Sequence, residues 1–379
     1  MRSLHVAATW WPAVRYGGPI VSIRGLCRAL ARAGDAVQVL TTTVDGPNDS
    51  AVPTDVDVDD GGPRLRYHRS PWLRRVYWSP ALQRSLAETA PMVDLVHAHG
   101  VFLWPTLAAG RAARRASRPF VLSPRGMLVR ALIDARSRLA KRAWLALLER
   151  ANLRGAAAIH ATSAHERDAL HELGLGPLRR IEVIPNGVDL PAAVAEPPDR
   201  RRLLFVGRLS GEKRLDLLLD SLVGVDGATL DIVGPDPAGL RPSLERRAAG
   251  LGLADRVAFR GPLDAAGVRG AIDGCDALVL TSRSENFGNV VLEAMAAARP
   301  VVVTPGVGAA AEVRAARGGL VAADDPRGLA AALSQVLDAP ALARTMGLAG
   351  RFHVARNLSW DAVAMRMRAL YADLVGDPR

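Results

Sequence analysis

Apolar runs of three to six residues, each followed by a turn and then a helical period, recur along the whole chain, and this alternation admits few folds. Leu4 to Ala8 is the first run. After it, Tyr16-Gly17-Gly18-Pro19 opens a helix whose apolar positions Ile23, Leu26, Cys27, Leu30 and Ala31 fall at i, i+3, i+4, i+7 and i+8. Pro19 suits a first helical turn and Gly34 a C-terminal stop. A second strand, Ala36 to Thr41, completes a β-α-β unit whose crossover is right-handed. Leu95 to Ala98, Phe120 to Ser123 and Ala157 to Ala161 repeat the pattern, and Ser163-Ala164-His165-Glu166 reads as a capping box, helix punctuation with no chemistry of its own. Pro191 to Arg200 then interrupts all periodicity. A second series follows, with strands at Leu203–Val206, Thr229–Val233, Val257–Arg260, Ala277–Leu280, Val301–Thr304 and Leu320–Ala322.

The expected fold class is therefore α/β, with two doubly wound, Rossmann-like domains: residues 1–190, a linker at 191–200, residues 201–357, and a C-terminal helix, 358–379, that packs back on the first domain. At about 150 residues per domain, 379 residues suit two. In such sheets the ligand site is expected where loops leave the C-terminal strand ends, facing a central cleft between the domains. With 49% apolar and 23% charged residues the chain is no disordered segment. Cys27 and Cys275 are too few and too far apart for a disulfide framework or a zinc cluster, which suits a reducing cytoplasm. The longest stretch without an Asp, Glu, Lys or Arg, Leu95 to Gly110, includes His97, His99 and Pro105, so no membrane-spanning helix is expected. Met1-Arg2-Ser3 and the apolar run after it imitate a signal peptide, but Pro12 and the lack of a small-residue cleavage site favour a buried first strand.

Two stretches carry chemistry. In Ser282 to Ala296, a strand ends near Thr281, a polar loop holds Glu285 and Gly288, and a helix starts at about Asn289 with its free amides available to a phosphate. Glu285 and Glu293 flank that position, where carboxylates accept hydrogen bonds from sugar hydroxyls. Phe205 to Arg214 also lies between a strand and a helix, and supplies Arg208 and Lys213, a guanidinium and an ammonium suited to a diphosphate. Of 49 basic residues only Lys141 and Lys213 are lysines, so a lysine in this loop stands out.

With these stand Asp94-Leu95-Val96-His97-Ala98-His99-Gly100, Ser123-Pro124-Arg125-Gly126-Met127-Leu128 and Val183-Ile184-Pro185-Asn186-Gly187-Val188-Asp189. As an ordered set, over nearly the whole chain, they resemble the retaining glycosyltransferases of family 4, which have the two-domain GT-B fold. The Ser-Pro-Arg-Gly form is similar to that of a subgroup associated with exopolysaccharide and lipid-linked oligosaccharide synthesis. The resemblance implies a nucleotide-diphosphate sugar donor, UDP- or GDP-linked, gripped at its diphosphate by Arg208 and Lys213 and at its ribose by Glu293. It implies that Glu285, with the amides of Phe287, Gly288, Asn289 and Val290, holds the transferred sugar and its phosphate. Arg260 would lie near the base, and Gly17 and Gly18 would bring backbone close to the phosphates, where any side chain would obstruct. Many relatives carry a histidine after the strand that here ends at Ser123; this chain offers Arg125 instead, with His99 as the alternative polar group and His97 as a core residue. Retention at the anomeric carbon, no required metal and no cofactor are implied as well, the departing phosphate oxygen itself taking the acceptor proton.

Asp55 to Asp60 reads as a solvated acidic turn and not a metal loop. The net charge of +11 is read with two basic, apolar surfaces. These are Trp72 to Trp78, and the stretch between Ala131 and Gly155 with Arg136, Arg138, Lys141, Arg142, Arg150, Arg154, Leu139, Trp144, Leu147 and Leu148. Such a stretch either covers the sheet or lies on an anionic bilayer, which suits a glycan or lipid-linked acceptor at the inner membrane face. No nucleic-acid-binding module accompanies the charge. Two rivals are kept. A nicotinamide-dependent oxidoreductase lacks its G-x-G-x-x-G loop here, and a non-catalytic nucleotide-sugar-binding module would follow if Arg125 had removed turnover.

Overall fold

The computed structural model describes residues 1–13, 17–129 and 138–376; Tyr16 of the glycine loop and Arg136 of the basic stretch lie outside them. The chain divides into two α/β units, residues 1–187 with 360–379, and residues 188–359.

In the first unit, β1 (Arg2–Ala7), β2 (Ala36–Thr42), a small hairpin of β3 (Val44–Asp45) and β4 (Asn48–Asp49), β5 (Asp57–Asp59), β6 (Arg64–His68), β7 (Leu95–His99), β8 (Phe120–Ser123), β9 (Ala158–Ala161) and β10 (Ile181–Val183) follow in order. Eight of them form one sheet, β10-β9-β8-β7-β1-β2-β6-β5, in which only β5 runs antiparallel. The strand order reverses between β1 and β7, so loops from these two neighbours diverge and leave a crevice at their C-terminal ends. β5, β6 and β10 escape the sequence reading because they are short and partly polar. In β6, buried Leu65 and Tyr67 alternate with Arg64 and Arg66, a half-covered pattern.

Because strand side chains alternate, the sheet has two cores. Leu4, Val6, Val96, Ala98, Phe120, Leu122 and Ile159 pack beneath helices Pro80–Thr89 and Trp104–Arg115. On the opposite face, Ala7, Val37, Val39, Leu95, Val121 and Ala158 pack with helix Gly18–Arg32 and with Trp360, Val363, Met367, Leu370 and Tyr371 of the C-terminal helix Trp360–Gly376. Gly25 lets the two helices meet: a Cβ there would stand 2.2 Å from Trp360 Cζ2. Gly25→Ala must displace that indole. It is expected to cost the first unit about 1–3 kcal/mol, as a fall in its urea midpoint.

The second unit has β11 (Arg202–Val206), β12 (Thr229–Val233), β13 (Val257–Gly261), β14 (Ala277–Leu280), β15 (Val301–Val303) and β16 (Gly319–Val321), all parallel, in the order β13-β12-β11-β14-β15-β16. Its order reverses between β11 and β14. The proline-rich stretch is tied to this unit: Arg351 Nη2 donates to Pro191 O at 2.9 Å, and the amides of Asp199 and Arg200 donate to Asp276 at 2.8 and 3.0 Å. No described helix is long and apolar enough to cross a membrane.

Candidate active site

In the second unit, the loops that follow β11 and β14 leave neighbouring strands at the switch point. They are stitched together. Arg283 N donates to Glu212 O at 2.8 Å, Thr281 Oγ1 donates to Lys213 O at 2.8 Å, and Lys213 Nζ forms an ion pair with the Glu285 carboxylate. The Lys213 and Glu285 side chains retain 16% and 23% exposure, so the pair is mostly buried and still reachable by solvent. Glu285 is further pinned through its backbone, its N–H donating to Gly306 O at 2.9 Å and its carbonyl accepting from Gly308 N at 2.9 Å.

Gly288, at φ 89°, turns the loop into helix Asn289–Ala296. A Cβ there would press on Leu280 and Val307 at 3.2 Å, so both backbone sign and space call for glycine. Phe287 is buried as the anchor of this turn, while Asn289 and Val290 sit half-exposed at the helix start. Glu293 lies one turn in, and burial pushes its carboxyl above the usual range, with Arg269 opposing and Asp189 adding to the shift. A carboxyl so placed suits hydrogen bonds to a vicinal diol, which replace the lost water. Arg208 is exposed directly after β11.

Arg260 is the extra residue in a register shift between β12 and β13; its Nε donates to Asp231 Oδ1 at 2.8 Å and its side chain stays 57% exposed.

In the first unit, exposed Gly17 and Gly18 form the start of helix Gly18–Arg32; Gly17 has φ 68°, which favours glycine, and no protein atom lies within 4 Å of a Cβ built there. His97 is the core residue expected. His99 does not present a free ring: it is buried, its Nδ1 accepts from Arg125 Nη2 at 3.1 Å, and its Nε2 lies 3.1 Å from His5 Nδ1. Arg125 therefore sits at the surface end of this group, half-buried, with Nη1 donating to Asn186 Oδ1 at 2.9 Å. It has φ 57°, a strained conformation for a side-chain-bearing residue, next to Gly126 at φ 78°.

His5, His97 and His99 point to the face covered by the C-terminal helix, and with Ser123, His160 and Tyr371 they form two hydrogen-bonded chains. His160 Nε2 can only donate to the Ile184 carbonyl, at 2.8 Å, so its Nδ1 accepts from Ser123 Oγ at 2.6 Å. Ser123 must then accept from His97 Nε2 at 2.7 Å, and His97 Nδ1 accepts from Tyr371 Oη at 2.6 Å. In the second chain arginine can only donate, so His99 carries its proton on Nε2, gives it to His5 Nδ1, and leaves a buried His5 Nε2–H without a partner among the described residues. All four imidazoles are neutral in this scheme. Burial, with the Arg125 charge beside them, holds His5 and His160 down at about 3, and burial first holds His97 and His99 well below the usual value. Ligand nitrogens of His5, His97 and His99 lie within 4.8 Å of one another. A cation there would have to break these bonds and stand beside Arg125, so the triad reads as a hydrogen-bonding device and not a metal cage.

Four of the eight histidines thus serve one network. The signal for it was available, as imidazoles inside otherwise apolar strand runs; the partners Tyr371 and Asn186 were not legible from spacing.

The capping box is also more than punctuation. Ser163 Oγ accepts from Glu166 N at 3.1 Å, but the buried Glu166 carboxylate bonds to Thr162 N and Oγ1 at 2.7 and 2.9 Å and to Gly126 N, clamping the turn that carries Arg125. The acidic run is exposed at Asp55, Asp57 and Asp59, as a solvated turn would be, with Asp57 paired to Arg66 and Asp55 to His68; Asp60 alone is buried, and takes hydrogen bonds from Trp10, Arg24 and Arg28. Long basic side chains from adjoining elements reach it and displace water. In the segment 138–154, Leu139 and Leu147 are exposed and do not cover the sheet, while buried Glu149 accepts from Phe102 N and Trp144 Nε1. A groove of about 640 Å³ between helices Pro80–Thr89 and Trp104–Arg115 is lined by Arg84, Arg111 and Arg115 without a carboxylate, and lies apart from the motifs.

Comparison with known proteins bears on the family and the fold. Residues 17–187 match the family described as glycosyl transferase 4-like domain, and residues 200–339 match glycosyl transferases group 1. D-inositol 3-phosphate glycosyltransferase of Frankia alni is 30% identical, over 92% of either chain. D-inositol 3-phosphate glycosyltransferase 2 of Catenulispora acidiphila is 34% identical over 53% of this chain and 52% of its own. The chain spans about half the length of several curated relatives it matches. Sucrose-phosphate synthase of Thermosynechococcus elongatus superposes with a TM-score of 0.76 at 23% identity, over 99% of this chain and 100% of its own. HepE of Anabaena, in complex with UDP-glucose, gives 0.74 at 19%, over 98% and 100%. With both halves matched and a 30% identical relative aligned over 92% of either chain, the chain belongs to the family 4 glycosyltransferases of GT-B fold.

Proposed function

We propose that this protein is a retaining glycosyltransferase that moves a hexose from a UDP- or GDP-linked donor to a glycan or lipid-linked acceptor. The reading is carried by one observation, the Lys213–Glu285 ion pair, which joins two motifs 72 residues apart at the switch point of one sheet. There Lys213 and exposed Arg208 neutralise the donor diphosphate as charge grows on the departing nucleotide. Glu285 orients the transferred sugar, the amides of residues 287–290 at the start of helix Asn289–Ala296 meet its phosphate, and Glu293 takes the ribose hydroxyls. HepE binds UDP-glucose on the same fold, which favours this class of donor. In the first unit Arg125, not His99, meets substrate, because both ring nitrogens of His99 are already engaged. No metal is assigned a step, and the departing phosphate oxygen takes the acceptor proton as the new bond forms on the same face.

Glu293→Gln is expected to weaken calorimetric affinity for a UDP- or GDP-sugar about tenfold with the fold intact. Unchanged affinity for every donor tried would remove Glu293 from the site. Nucleotide release from such donors tests the activity itself, whereas binding without release supports the non-catalytic rival.

The acceptor reading includes contact with the inner face of a membrane. Exposed Trp72 and Leu73 beside Arg74 and Arg75, and exposed Leu139 and Leu147, give the first unit an apolar and basic surface of the kind that settles on anionic lipid.

A further inference from the structure

A cation drawn partly out of water is costly unless something pairs with it, and among the described residues no carboxylate hydrogen-bonds Arg125. Among the described residues its hydrogen-bond acceptors are both neutral: the Asn186 amide oxygen and the His99 ring nitrogen. Its Nε has no partner. Of five guanidinium N–H bonds, the fold uses two. Glu166 favours the Arg125 charge through space, but its oxygens are committed to Gly126 and Thr162, so it makes no hydrogen bond to the guanidinium.

The imidazoles on this face, His5, His97, His99 and His160, are buried, and burial keeps them neutral; Cys27 and Tyr371 also lie near the guanidinium. A carboxylate in place of His99, the ring that touches Arg125, would have supplied an internal counter-ion. Its absence, the strained backbone at φ 57° and the clamped turn together describe a cation held ready for a counter-ion from outside.

We propose that Arg125 is a binding residue for a phosphate group of a substrate, and that His99 and His5 are positioning residues which orient its guanidinium while leaving its charge unspent. This deepens the transferase reading above, in which Arg125 meets substrate, by naming the chemistry it meets. A fork of N–H donors on a planar cation suits a phosphate far better than a sugar hydroxyl. The phosphate can come from the donor's diphosphate or from a phosphorylated acceptor, and the choice is experimental.

Calorimetry on the full chain would use four probes: UDP, GDP, inorganic phosphate and glycerol 3-phosphate. Arg125→Gln is expected to lose at least tenfold in affinity for one class. Loss for UDP or GDP assigns the donor phosphate, and loss confined to inorganic phosphate and glycerol 3-phosphate assigns an acceptor phosphate. His99→Asp, which supplies an internal counter-ion, is expected to reproduce the loss, whereas His99→Asn, whose Oδ1 replaces Nδ1 as a neutral acceptor, is expected to stay within about threefold of the parent. Arg125→Lys should recover part of what Arg125→Gln loses, and this arm serves if His99→Asp does not fold. The proposal is overturned if the parent binds no probe, if Arg125→Gln binds all four as the parent does, or if folded His99→Asp matches His99→Asn. None of these readouts needs sugar transfer, so a failure here is separable from a failure of the transferase reading, which nucleotide release decides.

Discussion

Between pH 7.5 and pH 5 the first unit is expected to lose about 4 kcal/mol of stability from two histidines alone. His5 and His160 lie at about 3 in the folded chain and return to about 6.5 when it unfolds. Below pH 6.5 the unfolded chain therefore binds protons that the folded chain refuses, and stability present above that value drains away as the pH falls toward 3. At pH 5 linkage gives about 2 kcal/mol for each ring. His97 and His99 shift in the same direction and add to the loss. Glu149, whose carboxyl is raised by burial, works the other way in this window and offsets part of it.

The measurement is clean because all seven tryptophans belong to the first unit, so urea unfolding followed by indole fluorescence reports that unit and not the other. A midpoint that does not move between the two pH values would mean the rings are not neutral and buried as described. Tyr371→Phe should lower stability at both pH values and narrow the difference between them, since it removes the donor that holds His97 Nδ1 in its neutral form.

The second large effect belongs to the Lys213–Glu285 pair. Lys213→Ala strands a carboxylate with 23% exposure and removes the cation proposed for the diphosphate. Donor affinity is expected to fall about 30- to 100-fold, equivalent to about 2–3 kcal/mol. Glu285→Gln should behave differently. It keeps the shape and loses the charge that orients the sugar, so the transfer rate is expected to fall about 100-fold while affinity for free nucleotide diphosphate changes little. Were Glu285→Gln to lose nucleotide affinity as severely as Lys213→Ala, Glu285 would be a strut for the lysine and nothing more. A double-mutant cycle on the two positions separates their coupling from their individual roles.

Much of the architecture was legible because it rests on local regularities. The alternation of strand and helix, the glycine at a positive-φ helix start and the apolar stripe Trp360, Val363, Met367, Leu370, Tyr371 are written in periods of two and 3.6, and each appears in the folded chain where its period placed it. The strands that escaped, the hairpin β3–β4 and β5, β6 and β10 of the large sheet, are short and partly polar, and some carry charges that long neighbours neutralise, as Arg66 does for Asp57. The Glu285 and Glu293 spacing could be read directly; the partner of Glu285 could not, because Lys213 lies on a different loop.

Sequence by itself determined the fold class, the order of elements and the chemical kinds of residue at the strand ends, since these follow from periodicity and composition. Tertiary structure alone decided who spends charge on whom. Arg260 is paired to Asp231, Glu166 is turned onto the Gly126 amide, and Arg125 is left on a bed of neutral histidines. Pairing depends on distances of about 3 Å between side chains far apart in the chain, which only strand register and helix packing bring together.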